Sequence, residues 1–266
     1  MPAPRLLATD LDGTLLREDG TVSDRTRAAL AAADGAGLAV VMVTGRPVRW
    51  MTGIARETGH HGVAVCSNGA VRYDLTTEEI VGHDPIPPDV GRVVVDALRA
   101  AVPGVRFAVE QATDFGREPA WVLETDSRGW QVAVAAAEEL VERPTTKLLA
   151  RLDDADPDEL LALAREALGN LATATHSSDW GLIEVSAAGI SKATGLERLA
   201  NELGVSRAEV VAVGDMPNDL PMLAWAGRSV AVANAHPEVL AAVDELTAAN
   251  TDDGVAVLIE GILSLR

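Results

Sequence analysis

The segment Leu6-Leu7-Ala8-Thr9-Asp10-Leu11-Asp12-Gly13-Thr14-Leu15 constrains this chain more than any other. A short apolar run ends in two acids one residue apart, followed by Gly and Thr. The run is too short for a helix and is closed by a turn signal, so it predicts a buried strand. The acids then fall at the carboxyl edge of that strand, where open α/β sheets place their ligands. Asp10 and Asp12 share a side if the chain stays extended that far. Two carboxylates held together repel, and a divalent cation is the usual remedy. The same pair suits chemistry in which one acid attacks an electrophile while its neighbour handles a proton. Taken alone, the segment also fits a strand-end turn in which either acid caps a helix. An EF-hand loop does not fit: Gly13 comes too early, and the twelfth loop position is Thr21 rather than Glu.

Further along, the same pattern repeats. Ser23 and Asp24 can cap a helix through Ala33, broken at Gly35 and Gly37. The apolar strand Ala39 to Val43 runs into Thr44-Gly45-Arg46-Pro47, with Pro47 suited to the first turn of a helix reaching Arg56. A hydroxyl, free backbone amides and a guanidinium converge there, as in an anion site, though a capped helix with a surface arginine reads equally well. Val63 to Ser67 predicts a third strand, and Asn68-Gly69 a tight turn into a hairpin strand from Ala70 to Tyr73. His60 and His61 read as solvated loop. Ser191 can cap a helix from Lys192 to Leu203, which puts Lys192 in a first turn whose dipole disfavours a cation. A lysine so placed suggests a local anionic partner, against the alternative of a solvated surface group. Val210 to Gly214 is another buried strand, and Asp215, Asn218 and Asp219 cluster beyond it.

Between these halves the rhythm changes. Asp84-Pro85-Ile86-Pro87-Pro88 reads as a linker. Residues 84–186 predict helices and strands with no acid-glycine strand end, as expected of an inserted α+β domain acting as a lid. Trp121, Asp126, Arg128 and Trp130 lie in a polar-aromatic stretch of this insert that could meet a substrate, although core packing or a loop tip is the better reading of each.

Composition narrows the field. A net charge of −18 over 266 residues makes a polyanion such as nucleic acid an improbable partner. Cys66 is the sole cysteine, set in an apolar run, which excludes an intrachain disulfide framework. No apolar run reaches transmembrane length, and the acidic motif begins too early to leave room for a signal peptide. A cytoplasmic protein is expected. Of the 22 basic residues only Lys147 and Lys192 are lysines, which singles out both.

The ordered set Asp-Leu-Asp-Gly-Thr-Leu, Thr-Gly-Arg-Pro, Ser-Asn-Gly-Ala, Gly-Ile-Ser-Lys, Gly-Asp-x-x-Asn-Asp and Asn-Ala-His-Pro-Glu-Val resembles the haloacid dehalogenase superfamily of phosphohydrolases. The match is to the Cof-like sugar-phosphatase branch, with a large type II cap between the second and third motifs. The resemblance implies a Rossmann-like, doubly wound parallel-sheet α/β core from residues 1–83 and 187–266, with 84–186 as the cap. It implies a phosphoric monoester hydrolase acting on small phosphorylated metabolites, as a monomer or small homo-oligomer. By the same resemblance, Asp10 is the nucleophile that becomes an aspartyl phosphate, and Asp12 is the acid and then the base. The resemblance also implies Mg²⁺ held by Asp10, the Asp12 carbonyl and Asp215, with Asp219 orienting that shell from behind. It further implies that Thr44, Gly45, Lys192 and Asn218 bind the phosphoryl group and that Arg46 touches the phosphate or the cap. One departure is Ala233-Asn234, where the family usually has Gly-Asn.

Rival functions are separable by residue type. Dehalogenases generally lack the second acid, because halide needs no proton. Transport ATPases usually carry Thr there and span membranes. Signalling receivers are shorter and lack the acid two residues on. A phosphosugar mutase shares the core and differs in its cap, so it stays open as the alternative. A non-catalytic phosphate-binding role would require a dead site.

Overall fold

The computed structural model describes residues 2–122, 132–178 and 180–265. Its internal contacts divide the chain into two compact units, residues 2–81 with 191–265, and residues 82–190. Asp126, Arg128 and Trp130 lie outside the described residues.

In the first unit, β1 (Leu6–Thr9) is buried along its whole length and apolar up to Thr9, as suits a central parallel strand. Helix α1 (Asp24–Gly35) is capped by the Ser23 hydroxyl, which accepts from the Thr26 N–H. β2 (Ala39–Met42) follows, then a 3₁₀ turn at Val48–Trp50 that continues into α2 (Met51–Thr58). β3 (Val63–Cys66) and β4 (Val71–Asp74) form the expected hairpin, and β5 (Glu79–His83) pairs with β4. The hairpin's connection is not the two-residue turn that Asn68-Gly69 predicts. It spans Ser67 to Ala70, with Ser67, Asn68 and Gly69 all at positive φ. The reason is tertiary: the Ser67 N–H donates to the Arg46 carbonyl and the Asn68 N–H to the Thr44 carbonyl, both at 3.0 Å.

The second unit begins with the proline-rich segment, which is not a free linker. Ile86 is buried and exchanges backbone hydrogen bonds with Thr145. Then come α3 (Pro88–Ala101), β6 (Arg106–Gln111), β7 (Asp114–Arg117), β8 (Val132–Val134), α4 (Ala137–Leu140), β9 (Lys147–Arg151), α5 (Pro157–Leu168), β10 (Ala172–Thr175) and β11 (Leu182–Ala187). The strands form one six-stranded sheet in the order β10-β11-β9-β6-β7-β8, antiparallel except for β7 with β8. Phe107, Val109, Leu148, Ala150, Ile183 and Val185 turn one face of it into a core with α3 and α5. The alternate residues Glu110, Lys147 and Glu184 are buried on the opposite face, where the Lys147 ammonium donates to Glu184 at 2.7 Å. Trp121 is buried against Ala108, Phe115 and Leu149.

The chain returns to the first unit with α6 (Lys192–Glu202), β12 (Val210–Gly214), α7 (Leu220–Trp225), β13 (Arg228–Val232), α8 (Pro237–Ala242), β14 (Glu245–Thr247) and α9 (Gly254–Ser264). The resulting parallel sheet has the order β14-β13-β12-β1-β2, and a parallel bridge from Val43 to Val65 extends it toward β3. β1 leads to β2 on one side, while the later strands fill the other. The carboxyl ends of β1 and β12 therefore meet where strand order reverses, which opens a crevice for a ligand.

One close approach fixes the geometry of that crevice. A Cβ on Gly69 would lie 2.0 Å from the Ser191 carbonyl oxygen, and its φ of +101° already disfavours other residues. The Ser67–Gly69 loop thus seats directly on the first turn of α6. Gly69→Ala is expected to lower unfolding free energy by on the order of 3 kcal/mol. Gly53→Ala, in an exposed and open position of α2, is expected to raise it by about 0.5–1 kcal/mol. Urea unfolding of both variants checks the contrast, and equal effects would contradict it.

Candidate active site

Asp10 follows the last residue of β1, and its N–H donates to the Val213 carbonyl of β12 at 3.0 Å. This bond sets the two strand ends side by side. Asp215 follows the last residue of β12, and Asp219 closes the turn that leads into α7. The carboxylates of Asp10, Asp215 and Asp219 are all buried and offer oxygens within 4.8 Å of one another.

Three like charges in so little space need compensation. Lys192, the first residue of α6, is 1% exposed, and its ammonium donates to Asp10 Oδ1 at 2.6 Å and Asp219 Oδ1 at 2.7 Å. The helix dipole that disfavours a cation there is outweighed by these two partners. Asp219 Oδ2 accepts from the backbone N–H groups of Asp215 and Met216 at 2.9 and 3.1 Å. Asp219 thus braces both Lys192 and the Asp215 loop. Asp215 Oδ1 accepts from the Thr14 hydroxyl at 2.9 Å. Gly13, at φ +76°, lets this loop pass: a Cβ there would stand 2.3 Å from Asp215 Oδ2.

The charge balance leaves its mark on the acids. Burial pushes the Asp10 carboxyl well above its ordinary range; Lys192 pulls it down, while Asp219, Asp215 and Asp12 push it up. Burial, and then the charge of Asp219, push Asp215 up to about 7, against the Thr14 hydrogen bond and Lys192. Burial opposes the charged form of Lys192, but Asp10 and Asp219 outweigh it and hold the ammonium above its ordinary range. One buried ammonium does not neutralise three carboxylates. Their hard oxygen donors fit a divalent cation such as Mg²⁺ or Ca²⁺, and do not suit a soft metal.

Other residues named from the sequence fall around this cluster. Thr44 is fully buried at the end of β2, and its hydroxyl accepts from the Arg46 N–H at 3.0 Å. Gly45 lies between them in that turn. Asn218 is buried; its Nδ2 donates to Asn68 Oδ1 at 3.3 Å, while its own Oδ1 finds no partner among the described residues. A buried amide oxygen without a donor is costly, which suits a position that meets a ligand. Asp12 is near enough for its charge to act on Asp10, but it is not buried with it. Its side chain is 57% exposed, and the fork of Arg46 holds it: Nε donates to Oδ2 at 2.8 Å, and Nη2 donates to Oδ1. The Arg46 guanidinium lies on Asp12 and also feels the charge of Asp10. His60 is half-buried, with a ring driven toward neutrality by burial, and His61 is exposed; neither joins the acidic cluster among the described residues.

Sequence reasoning missed four supporting residues. Thr14 holds Asp215. Asn68, at φ 55°, meets Asn218. Asn234 Nδ2 donates to the Gly13 carbonyl at 2.8 Å, and Asn250 Nδ2 to the Leu16 carbonyl at 2.9 Å. Asn234 and Asn250 are also joined by a backbone N–H, so together they clamp the loop after β1. The quoted Asp-Gly-Thr, Ser-Asn-Gly and Asn-Ala-His blocks were the available signals for the first three, and Asn250 lies in none of them. The Ala233-Asn234 departure costs no polar group at this loop.

The sequence pattern of haloacid dehalogenase-like hydrolases matches residues 7–259. The chain is 29% identical over 266 residues to 5-amino-6-(5-phospho-D-ribitylamino)uracil phosphatase YitU of Bacillus subtilis (strain 168), covering 98% of each. It is 30% identical over 251 residues to a phosphoglycolate phosphatase of Halorubrum lacusprofundi, covering 94% of this chain and 93% of that one. Among solved structures, a haloacid dehalogenase-like hydrolase from B. subtilis superposes with a TM-score of 0.83 at 25% identity, covering 96% of this chain and 99% of that one.

The raised acids generate a pH prediction. An acid with a raised folded-state pKa gives stability that is fully present below its unfolded value, about 4, and is lost as pH rises through the folded value. For Asp215 that window runs from about 4 to about 7. In EDTA this contribution declines across the window, so Mg²⁺ should raise Tm more at pH 8 than at pH 5. Asp215→Asn should flatten the difference. Thermal melts with and without Mg²⁺ check it, and an equal Mg²⁺ shift at both pH values would contradict it.

Proposed function

The chain belongs to the haloacid dehalogenase-like hydrolases, and we propose that it is a Mg²⁺-dependent phosphatase of small phosphomonoesters that works through an aspartyl phosphate on Asp10. One observation carries the reading: a buried carboxylate at a strand end, held at 2.6 Å by a buried ammonium and backed by two further acids.

In the proposed sequence, an Asp10 oxygen bonds to phosphorus as the bond from phosphorus to the leaving oxygen breaks. Asp12 gives its proton to that oxygen, so the alcohol departs neutral. The Asp12 carboxylate then takes a proton from water, the water oxygen bonds to phosphorus, and the bond to Asp10 breaks. Inorganic phosphate leaves and both acids return to their starting state. The Lys192 ammonium, the Thr44 hydroxyl, the Gly45 backbone and the Asn218 amide are the proposed phosphoryl contacts, with Lys192 offsetting charge on the transferred group. What Mg²⁺ supplies, when bound by Asp10, the Asp12 carbonyl and Asp215 with Asp219 behind, is neutralisation of the charge that an incoming phosphate adds to an already anionic cluster.

Two relatives of near-equal identity are named for different esters, a phosphoribitylamino-uracil and phosphoglycolate, so likeness does not choose a substrate. We take residues 1–83 and 187–266 as the catalytic domain and 84–186 as the domain that distinguishes substrates, because the proposed chemistry draws on the first set alone. The charge of −18 supports a metabolite rather than a nucleic acid as partner. Among the described residues no helix is long and apolar enough to cross a membrane. This fits the proposal of a cytoplasmic monomer or small homo-oligomer without a membrane partner.

Turnover of p-nitrophenyl phosphate with Mg²⁺ and with EDTA tests the reading, and a sugar-phosphate panel then finds the preferred ester. Asp10→Asn should abolish turnover, and Asp12→Asn should cripple it. Lys192→Ala should cost roughly 2–4 kcal/mol of transition-state stabilisation, read from kcat/KM. An Asp10→Asn enzyme that works at the wild-type rate would overturn the assignment.

A further inference from the structure

Arg46 is more firmly built into the site than a surface arginine would be. Its N–H donates to the Thr44 hydroxyl at 3.0 Å, and its carbonyl accepts from the Ser67 N–H at 3.0 Å. Both backbone polar groups are thereby pinned to buried residues. Its guanidinium lies 5.7 Å from the Trp50 ring centroid, within cation–π range. The side chain is 22% exposed, and from this fixed base it grips both oxygens of Asp12.

Asp12 has no such support of its own. It lies in the loop after β1, is more than half exposed, and both of its carboxylate hydrogen bonds come from Arg46 among the described residues. A proton-transfer group must be held within hydrogen-bond reach of the atom it serves. A carboxylate this exposed would otherwise turn freely. A guanidinium fork meeting both oxygens fixes the plane of the carboxylate as well as its place, which an ammonium cannot do; when Asp12 donates, the oxygen that carries the proton faces the leaving group and the other stays on Arg46.

Building on the proposed phosphatase chemistry, we propose that Arg46 is a positioning residue for proton transfer by Asp12, and not a ligand of the phosphoryl group. The two roles differ in which substrates they affect. An arginine that binds phosphate serves every ester alike. An arginine that aims the general acid matters for alkyl esters, whose leaving oxygen needs a proton. It matters much less for p-nitrophenyl phosphate, whose phenolate leaves without one.

The test compares kcat/KM for p-nitrophenyl phosphate with kcat/KM for the sugar phosphate that the wild-type enzyme turns over fastest. This parameter reports steps up to the first irreversible one, so a slow second half-reaction does not mask the difference. For Arg46→Ala, the ratio of sugar phosphate to p-nitrophenyl phosphate should fall by ten-fold or more, toward the roughly 10²–10⁴ that general acid–base catalysis supplies in full. Arg46→Lys keeps the charge without the fork; it should show the same fall and serves should the alanine variant fold poorly. In an Asp12→Asn background, Arg46→Ala should leave the ratio where Asp12→Asn alone puts it. An equal loss on both esters would overturn the proposal in favour of phosphate binding. So would a further fall of the ratio in the Asp12→Asn background. A wild-type enzyme that turns over neither ester with Mg²⁺ would remove the phosphatase reading itself, and this inference with it.

Discussion

A single ammonium group, that of Lys192, lies buried between the carboxylates of Asp10 and Asp219, and the arrangement around it follows from that contact. Charges out of water need excellent geometry to persist. The fold provides it by bringing three separate segments to one point: the end of β1, the turn after β12 and the first turn of α6. The backbone bond from Asp10 to Val213 aligns the two strands, and the close seat of Gly69 on Ser191 fixes α6. Yet the compensation is incomplete. Asp215 is left with its pKa pushed up to about 7, and Asp10 is raised as well. The cluster is thus built to accept more positive charge than the chain itself supplies, and burial makes the need strong.

The apolar strands and the groups at their carboxyl ends were legible because both signals are local. An all-apolar run of four or five residues announces a central parallel strand, and an acid or hydroxyl just beyond it can only project from the sheet's edge. The strands β5, β7, β8 and β14 were not read as strands, and the β8 segment reads instead as part of a helix through Glu139. They carry polar or half-exposed residues and are held by their neighbours more than by their own pattern. The Asn68-Gly69 pair was legible as a hairpin, but not as the longer loop it forms, because its backbone answers to Thr44 and Arg46 far away in sequence. The pairing of Arg46 with Asp12 and the clamps by Asn234 and Asn250 were illegible for the same reason. Each side chain reaches a partner that only the tertiary fold brings near.

The two acids of the opening motif turn out to live in different environments. Asp10 is buried, acquires a cation and has little freedom. Asp12 stands largely in solvent and owes its orientation to one arginine. This division suits a pair with two tasks, one acid held for attack on phosphorus and the other free to exchange protons with a leaving group and then with water. It also separates what the family likeness supplies from what it does not. The proposed chemistry rests on residues of the first unit alone, whereas relatives with comparable identity are named for different phosphate esters.

The central claim is that Asp10 becomes covalently phosphorylated. Acid quenching of the enzyme during steady turnover with Mg²⁺, followed by peptide mass spectrometry, tests it most directly. The account predicts one phosphoryl group on the Asp10 side chain, which disappears when the enzyme is incubated in EDTA instead. Sustained turnover with Asp10 unmodified, or with the phosphoryl group on another residue, would contradict it.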